Sequence, residues 1–429
     1  MDKNSPTRHV LRNVLMGMVV LIWLITVVAY WLVDSGTNNK HIVLGIILTY
    51  LTLWGVVFLC SGATKLEKVL RFFLTTTSLV LLVGLCEILV LIKIVDFRLV
   101  FHTPIADPRR NPENLLDSKL LHIHQPHYRL LWHGVDYQYD RHGFRNESDL
   151  EAADIIVIGD SFIEGLTVSS EDLLTSHLAR ELGVTIANLG QSSYGPQQEL
   201  EVLRRFGLPL HPKVCVWTFY DGNDLWDVRT YDQSVSNWKD LSHKFHSFGE
   251  RSFTKNLSLA VGRLRDSLHR GNQEDSPGPE YLSGIVEDCP GSKSRTYFLD
   301  PDQAHLSAAD DEVLEEIRLT LSQAYELCRI NAIRFVLVFA PTKFRVYKEF
   351  TTFDRQARPR YWVINDLPQR LEGIVRDSLP AAEFLDLTPT LIAKARCGPL
   401  LYSPNDSHWS PEGHRVAAAA IAQLLRKSE

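Results

Sequence analysis

Residues 156–165 read IVIGDSFIEG. Ile155, Ile156, Val157 and Ile158 are β-branched in succession. Such a run marks a strand buried on both faces, because a strand wetted on one side alternates apolar with polar. The run stops at Gly159-Asp160-Ser161, and a helical pattern follows. A core strand thus ends by presenting an acid and a hydroxyl at a strand-to-helix turn.

The flanking chain repeats this alternation. Strand-like runs lie at Asp154–Ile158, Val184–Leu189, Lys213–Tyr220, Arg334–Ala340 and Glu383–Leu387. Helical patterns lie at Asp172–Leu182, Gln197–Phe206, Asp311–Asn331, Leu367–Leu379 and Pro411–Lys427. Strands that alternate with helices predict an α/β domain, its mainly parallel sheet covered on both faces. Residues 225–308 break the rhythm with Gly, Pro, Ser and charge, apart from an amphipathic stretch at Leu257–Leu268. They read as an insertion on the carboxyl edge of the sheet, expected to roof the site. No internal repeat is visible.

The 429 residues exceed what one typical domain needs, and 45% hydrophobic with 22% charged residues is ordinary for a globular chain. The formal charge is −6. With no basic block after the first hundred residues, nucleic acid is not an expected partner. The apolar residues crowd into the first hundred positions. Val14 to Leu32, His41 to Cys60 and Phe72 to Ile92 each approach the roughly 20 residues that span a bilayer, so three transmembrane helices are expected before the α/β domain. Lys3, Arg8 and Arg12 precede the first run, and Lys65, Lys68 and Arg71 precede the third. The positive-inside rule puts both segments in the cytoplasm and everything after about residue 95 outside it. Glu87 lies inside the third run, near its end, where it is expected to snorkel or meet a neighbouring helix. The expected organisation is a membrane region over 1–98, a connecting segment over 99–150 and the α/β domain over 151–429.

Ligands bind such sheets outside the carboxyl ends of the strands, and three motifs fall there. Ser161 follows the first strand, ANLGQSSYG with Gly190 the second, and WTFYDGNDL with Asn223 the third. SPNDSHWSPEGH, just before the last helix, supplies Asp406 and His408.

Taken together, GDS, Gly190, GND and the Asp406/His408 pair resemble the SGNH (GDSL) hydrolase superfamily over roughly residues 150 to 429. The resemblance implies a flavodoxin-like three-layer sandwich. Many members space the last pair as D-x-x-H, whereas one residue separates Asp406 from His408 here. The D-x-H-W form is similar to the SGNH-like domains of alginate O-acetylation proteins. DRHGFRN (140–146) and APTKFRVY (340–347) also resemble segments of membrane-anchored bacterial relatives.

The chemistry these residues support is acyl transfer to a serine. A hydroxyl is a weak nucleophile and needs an adjacent base. His408 can take the proton of Ser161, and Asp406 can orient and stabilise the imidazolium. The Ser161 N–H, the Gly190 N–H and the Asn223 amide can form an oxyanion hole. Each residue also has a plainer reading. Ser161 can cap the following helix, and Asn223 can serve a turn. Asp160 and Asp224 read as scaffold hydrogen-bonders, and His414 as structural.

No cofactor is implied. HIHQPH offers His122, His124 and His127, but no fourth ligand is evident, so no metal site is expected and the stretch reads as a solvated strand. Of six cysteines, Cys60 and Cys86 lie in apolar spans, and Cys215 and Cys328 in a core strand and a helix. Cys289 and Cys397 lie in loops of the domain placed outside the cytoplasm, where a disulfide is possible. Asn405-Asp406-Ser407 is a glycosylation sequon, and a glycan there would crowd His408; this favours a bacterial envelope.

Three functions fit. The first is a membrane-anchored serine esterase acting on acyl groups of an envelope glycan or lipid. The second is an O-acyltransferase that passes the acyl group to a polysaccharide hydroxyl and needs a separate acyl-donating membrane protein. The third is a non-catalytic glycan-binding or assembly protein. The Lys/Arg asymmetry makes a direct prediction. A reporter active only outside the cytoplasm should be active when fused after Glu429 and silent when fused at Ala63.

Overall fold

A computed structural model describes residues 49–55, 62–101, 114–132, 135–237, 248–269, 281–287, 289, 291–299, 306, 310–353 and 357–427. The chain divides into two compact units. One comprises residues 1–105 and 242–274, and the other 106–241 and 275–429.

In the first unit, Thr64 and Glu67 form a capping box, with Thr64 N–H on Glu67 Oε2 at 2.9 Å and Glu67 N–H on Thr64 Oγ1 at 3.3 Å. The helix they start, Lys65–Leu91, has 27 residues and a mean hydropathy of 2.2 in its most apolar window. Among the described residues it is the one helix long and apolar enough to cross a bilayer, and it carries the third expected span. Val14–Leu32 lies outside the described residues. His41–Cys60 is described as helix only over 49–55, where the Trp54 ring meets Phe72 edge-on at 5.4 Å. Among the described residues the structure therefore supports one of the three spans the sequence predicts. Glu87 meets a neighbouring helix. Its carboxylate accepts Phe253 N–H at 3.3 Å, Thr254 N–H at 2.9 Å and Thr254 Oγ1 at 2.6 Å, and so caps the amphipathic helix Phe253–His269. This part of the expected insertion belongs with the apolar helix and not with the α/β domain.

The second unit begins with two short antiparallel pairs, β1 (Asn114–Asp117) with β2 (Leu121–His124) and β3 (Arg129–Trp132) with β4 (Val135–Gln138). The central strands follow: β5 (Ile155–Gly159), β6 (Ile186–Gly190) and β7 (Val214–Tyr220). A hairpin, β8 (Tyr281–Glu287) and β9 (Lys293–Leu299), comes next, then β10 (Arg334–Ala340), β11 (Thr351–Phe353) and β12 (Glu383–Asp386). The main sheet has the order β12-β10-β7-β5-β6 and is parallel throughout. Counted along the chain, its strands lie 2-1-3-4-5. This is the flavodoxin-like order, which reverses between β5 and β7.

The all-apolar strands explain the three layers. Ile156, Ile158, Trp217, Phe219, Leu337 and Phe339 point to one face and pack with the helices Pro196–Val202, Asp310–Ile330 and Leu367–Ser378. Ile155, Val157, Val216, Val336 and Val338 point to the other, against Leu174–Leu182, Thr388–Ala395 and Pro411–Lys427. Each such buried side chain contributes roughly 1.5–3 kcal/mol, and the two clusters together fix the register of the sheet.

Cys289 and Cys397 form a disulfide, with Cα atoms 4.9 Å apart and a sequence separation of 108. The Cys289 N–H also donates to Arg396 O at 2.7 Å. Closing so long a loop in the unfolded chain should stabilise the domain by about 2–4 kcal/mol. Cys289→Ser/Cys397→Ser should therefore lower the unfolding midpoint by several degrees. Peptide mapping of the untreated protein should recover residues 289 and 397 in one cross-linked fragment.

Candidate active site

The turn after β5 places Ser161 at the carboxyl edge, beside the point where the strand order reverses. Asp160 Oδ1 accepts the Phe162 N–H at 2.9 Å and caps the one-turn helix Ser161–Glu164. The cap is thus Asp160, and the Ser161 hydroxyl is left for other work. Its Oγ lies 2.8 Å from His408 Nε2. His408 Nδ1 bonds in turn to Asp406 Oδ1. Serine, imidazole and carboxylate therefore stand in series across 247 residues of sequence.

The one-residue gap between Asp406 and His408 has a simple cause. Asp406 Oδ1 also accepts the His408 backbone N–H at 2.8 Å, an Asx turn that brings ring and carboxylate together without a longer spacer. Burial pushes the Asp406 carboxyl up, but the hydrogen bond from the His408 ring, its charge, the backbone N–H and Lys343 outweigh it and hold the group at about 2. Trp409, fully buried, meets Phe162 edge-on at 4.9 Å and His414 at 5.6 Å, and so wedges the loop against the serine helix. His414 accepts the Leu174 N–H at 3.2 Å, and burial drives its pKa down to about 3.

The loop is held from beneath by Lys343 of APTKFRVY. Its buried ammonium donates to Tyr297 O (2.8 Å), Ser403 O (2.7 Å), Pro404 O (3.1 Å) and Asp406 O (3.1 Å). Strand β9 adds Tyr297 N–H on Pro404 O at 2.9 Å. The hairpin part of the insertion therefore buttresses the Asp406 loop instead of roofing the site.

Two of the three expected oxyanion donors already have partners, which take the single N–H of Gly190 and one of the two amide hydrogens of Asn223. The Gly190 N–H donates to Asn188 Oδ1 at 3.0 Å. The Asn223 amide donates to Asp227 Oδ2 at 2.5 Å. What demands a glycine at 190 is packing, since a Cβ there would lie 2.4 Å from Glu164 N and 2.6 Å from Ile163 Cβ. Asp224 behaves as scaffold, its Oδ2 accepting the Tyr220 N–H at 2.8 Å.

Sequence reasoning missed Glu164, the last residue of the serine helix. Its carboxylate has no exposed surface. It accepts His124 Nε2 at 2.9 Å, Tyr139 Oη at 2.7 Å, the Ser192 N–H at 2.6 Å and the Ser192 hydroxyl. Burial works to raise its pKa, but His124, Ser192 and Tyr139 hold it at about 2. The histidine stretch is therefore not a solvated strand. His122 is buried, with Nε2 3.0 Å from Ser192 O, and only His127 is exposed. Among the described residues, no cluster of three or more potential metal ligands forms. Arg145 of DRHGFRN, also buried, donates to the carbonyls of Glu164, Gly165 and Val168 and closes the far end of the serine helix. The segment expected to connect the domains thus braces the serine.

Residues 298–429 match the family described as the SGNH hydrolase-like domain of acetyltransferase AlgX, which bears out the resemblance carried by the D-x-H-W motif. No curated protein matches the chain. Solved structures similar to it include an acetylxylan esterase catalytic mutant from Geobacillus stearothermophilus, at 11% identity and TM-score 0.34, covering 64% of this chain and 94% of that one. A GDSL-like lipase from Bacteroides thetaiotaomicron is similar at 13% identity and TM-score 0.31, covering 64% and 88%. A lipase/acylhydrolase from Enterococcus faecalis is similar at 11% identity and TM-score 0.33, covering 64% and 95%.

The Glu164 charge predicts an acid limb. A folded pKa of about 2 against an ordinary 4.5 means stability that is present above pH 4.5 and lost as pH falls toward 2. The stake is on the order of 3 kcal/mol. Glu164→Gln should unfold more easily at neutral pH and show a shallower loss between pH 4.5 and 2, followed by denaturant titration at each pH.

Proposed function

We propose that this chain is a membrane-anchored SGNH-type serine enzyme that handles O-acyl groups of an extracytoplasmic glycan or lipid in a bacterial envelope. One observation carries the reading: Ser161, His408 and Asp406 are hydrogen-bonded in series at the carboxyl edge of the sheet. In this mechanism His408 takes the Ser161 proton as Oγ attacks the acyl carbonyl, and Asp406 stabilises the imidazolium. The proton then passes to the leaving oxygen, and an acyl-serine remains. The Ser161 backbone N–H supplies the first oxyanion donor. Asn223 joins it through the second hydrogen of its amide, and Gly190 once substrate displaces Asn188.

The second step decides between two readings. In the first, water deacylates Ser161 with His408 as base, and the enzyme is an esterase. This step asks for nothing beyond water and the Ser161–His408–Asp406 relay. In the second, a sugar hydroxyl takes the acyl group while water is kept out, and a separate membrane protein supplies the donor. The match of residues 298–429 to a domain described as an acetyltransferase favours this reading. The complete relay supports either over a non-catalytic binding protein. The apolar helix Lys65–Leu91 supports an anchor, and the Lys/Arg pattern supports a multi-span membrane region with the catalytic domain outside.

Ser161→Ala should lower turnover of p-nitrophenyl acetate about a thousandfold or more, and His408→Ala nearly as much, with little added by combining them. With an acyl ester and soluble oligosaccharide supplied together, mass spectrometry separates the two second steps. Free acid forming at a rate indifferent to sugar identifies the esterase. Acylated sugar formed at the expense of free acid, and absent in Ser161→Ala, identifies the transferase.

A further inference from the structure

Beyond β6 the chain turns sharply through Gln191, Ser192, Ser193 and Tyr194. The Tyr194 N–H closes the turn on Gln191 O at 3.2 Å, and Ser193, third in the turn, has a φ of 62°. That position favours glycine or asparagine, because a Cβ there crowds the backbone. Three other non-glycine residues beside the main sheet share a positive φ: His211, Ala332 and Ala381. They precede β7, β10 and β12 at the amino edge. Ser193 alone of the four lies at the carboxyl edge, where the Ser161 relay stands.

The turn is clamped on every side. The Ser192 N–H and hydroxyl both donate to Glu164 Oε2, on the serine helix itself. His122 Nε2 lies 3.0 Å from Ser192 O, and Tyr194 Oη donates to His122 O. The Gln191 N–H donates to Gly159 O at 3.1 Å. Gln191 and Tyr194 are buried, whereas Ser193 is exposed. A strained residue persists only where its surroundings over-determine it, and such residues gather at ligand contacts. Packing does not require this one, since glycine would adopt the same backbone with less strain.

We propose that Ser193 is a specificity residue, its hydroxyl hydrogen-bonding a ring hydroxyl of the sugar that bears the acyl group. The proposal rests on the reading of Ser161 as the acyl-accepting serine of a glycan-acting enzyme. The clamp ties the turn to the serine helix through Glu164, so the sugar contact and the nucleophile move as one body. Strain and hydroxyl separate by substitution: Ser193→Ala removes the hydroxyl and keeps the strained backbone, whereas Ser193→Gly removes both.

The test uses the full chain in detergent and a partially acetylated cello-oligosaccharide, with binding measured by calorimetry in a Ser161→Ala background. Adding Ser193→Ala or Ser193→Gly should weaken binding about tenfold, while Ser193→Gly raises the unfolding midpoint. In the active enzyme Ser193→Ala should raise KM for the oligosaccharide about tenfold and leave kcat within about twofold. Equal binding by the Ser193 variants and their parent overturns the proposal, as does failure of the parent to bind the oligosaccharide. Turnover of p-nitrophenyl acetate by wild type and Ser161→Ala reports separately on the nucleophile. Its persistence in Ser161→Ala overturns that assignment, while the binding comparison still decides Ser193.

Discussion

The ammonium of Lys343 is sealed from water and solvated by carbonyl oxygens, three of them from the single loop 403–406. A buried charge without such partners would cost far more than the fold can spare. The loop therefore has little freedom to change shape: moving any one carbonyl leaves the charge under-solvated in a medium of low dielectric. Asp406 belongs to that loop and His408 follows two residues on, so the ring's approach to Ser161 depends on a lysine that touches neither group of the Ser161–His408 bond.

A second buried charge is that of Glu164. Glu164 ends the serine helix and binds donors from β2, from Tyr139 after β4, and from the turn after β6. One fixed charge holds the loop of Asp406 and His408, the other the helix of Ser161, and the Ser161–His408 hydrogen bond closes between them. Both halves are set before any substrate arrives.

The sheet was legible because its strands are apolar on both faces: Ile155–Ile158 admits no other ordinary reading, and the last helix matches its pattern at Pro411–Lys427. Ser161, Asp406 and His408 were legible because each sits where a strand ends or a helix begins. Partnerships across long separations were not. His124 on a strand looks the same in sequence whether it faces water or Glu164, 40 residues away. Gly190 announced that a side chain was forbidden, but not that the crowding came from the backbone of Glu164 rather than from a substrate. The amphipathic stretch at Leu257–Leu268 announced a helix, but not that Glu87, more than 160 residues earlier, would cap it.

That capping has a consequence for how the α/β domain is joined to the apolar helix. The chain passes between the two units after residues 105, 241 and 274. A protease that cuts once, near residue 105, does not set the domain free. The domain stays joined by covalent chain to the Phe253–His269 helix, whose first turn is still gripped by Glu87 on the released N-terminal fragment. Separating the α/β domain from the apolar helix would take further cuts, on both sides of the Phe253–His269 helix. A gene fragment trimmed simply to residue 106 onward would carry the helix with its cap missing and its docking face bare.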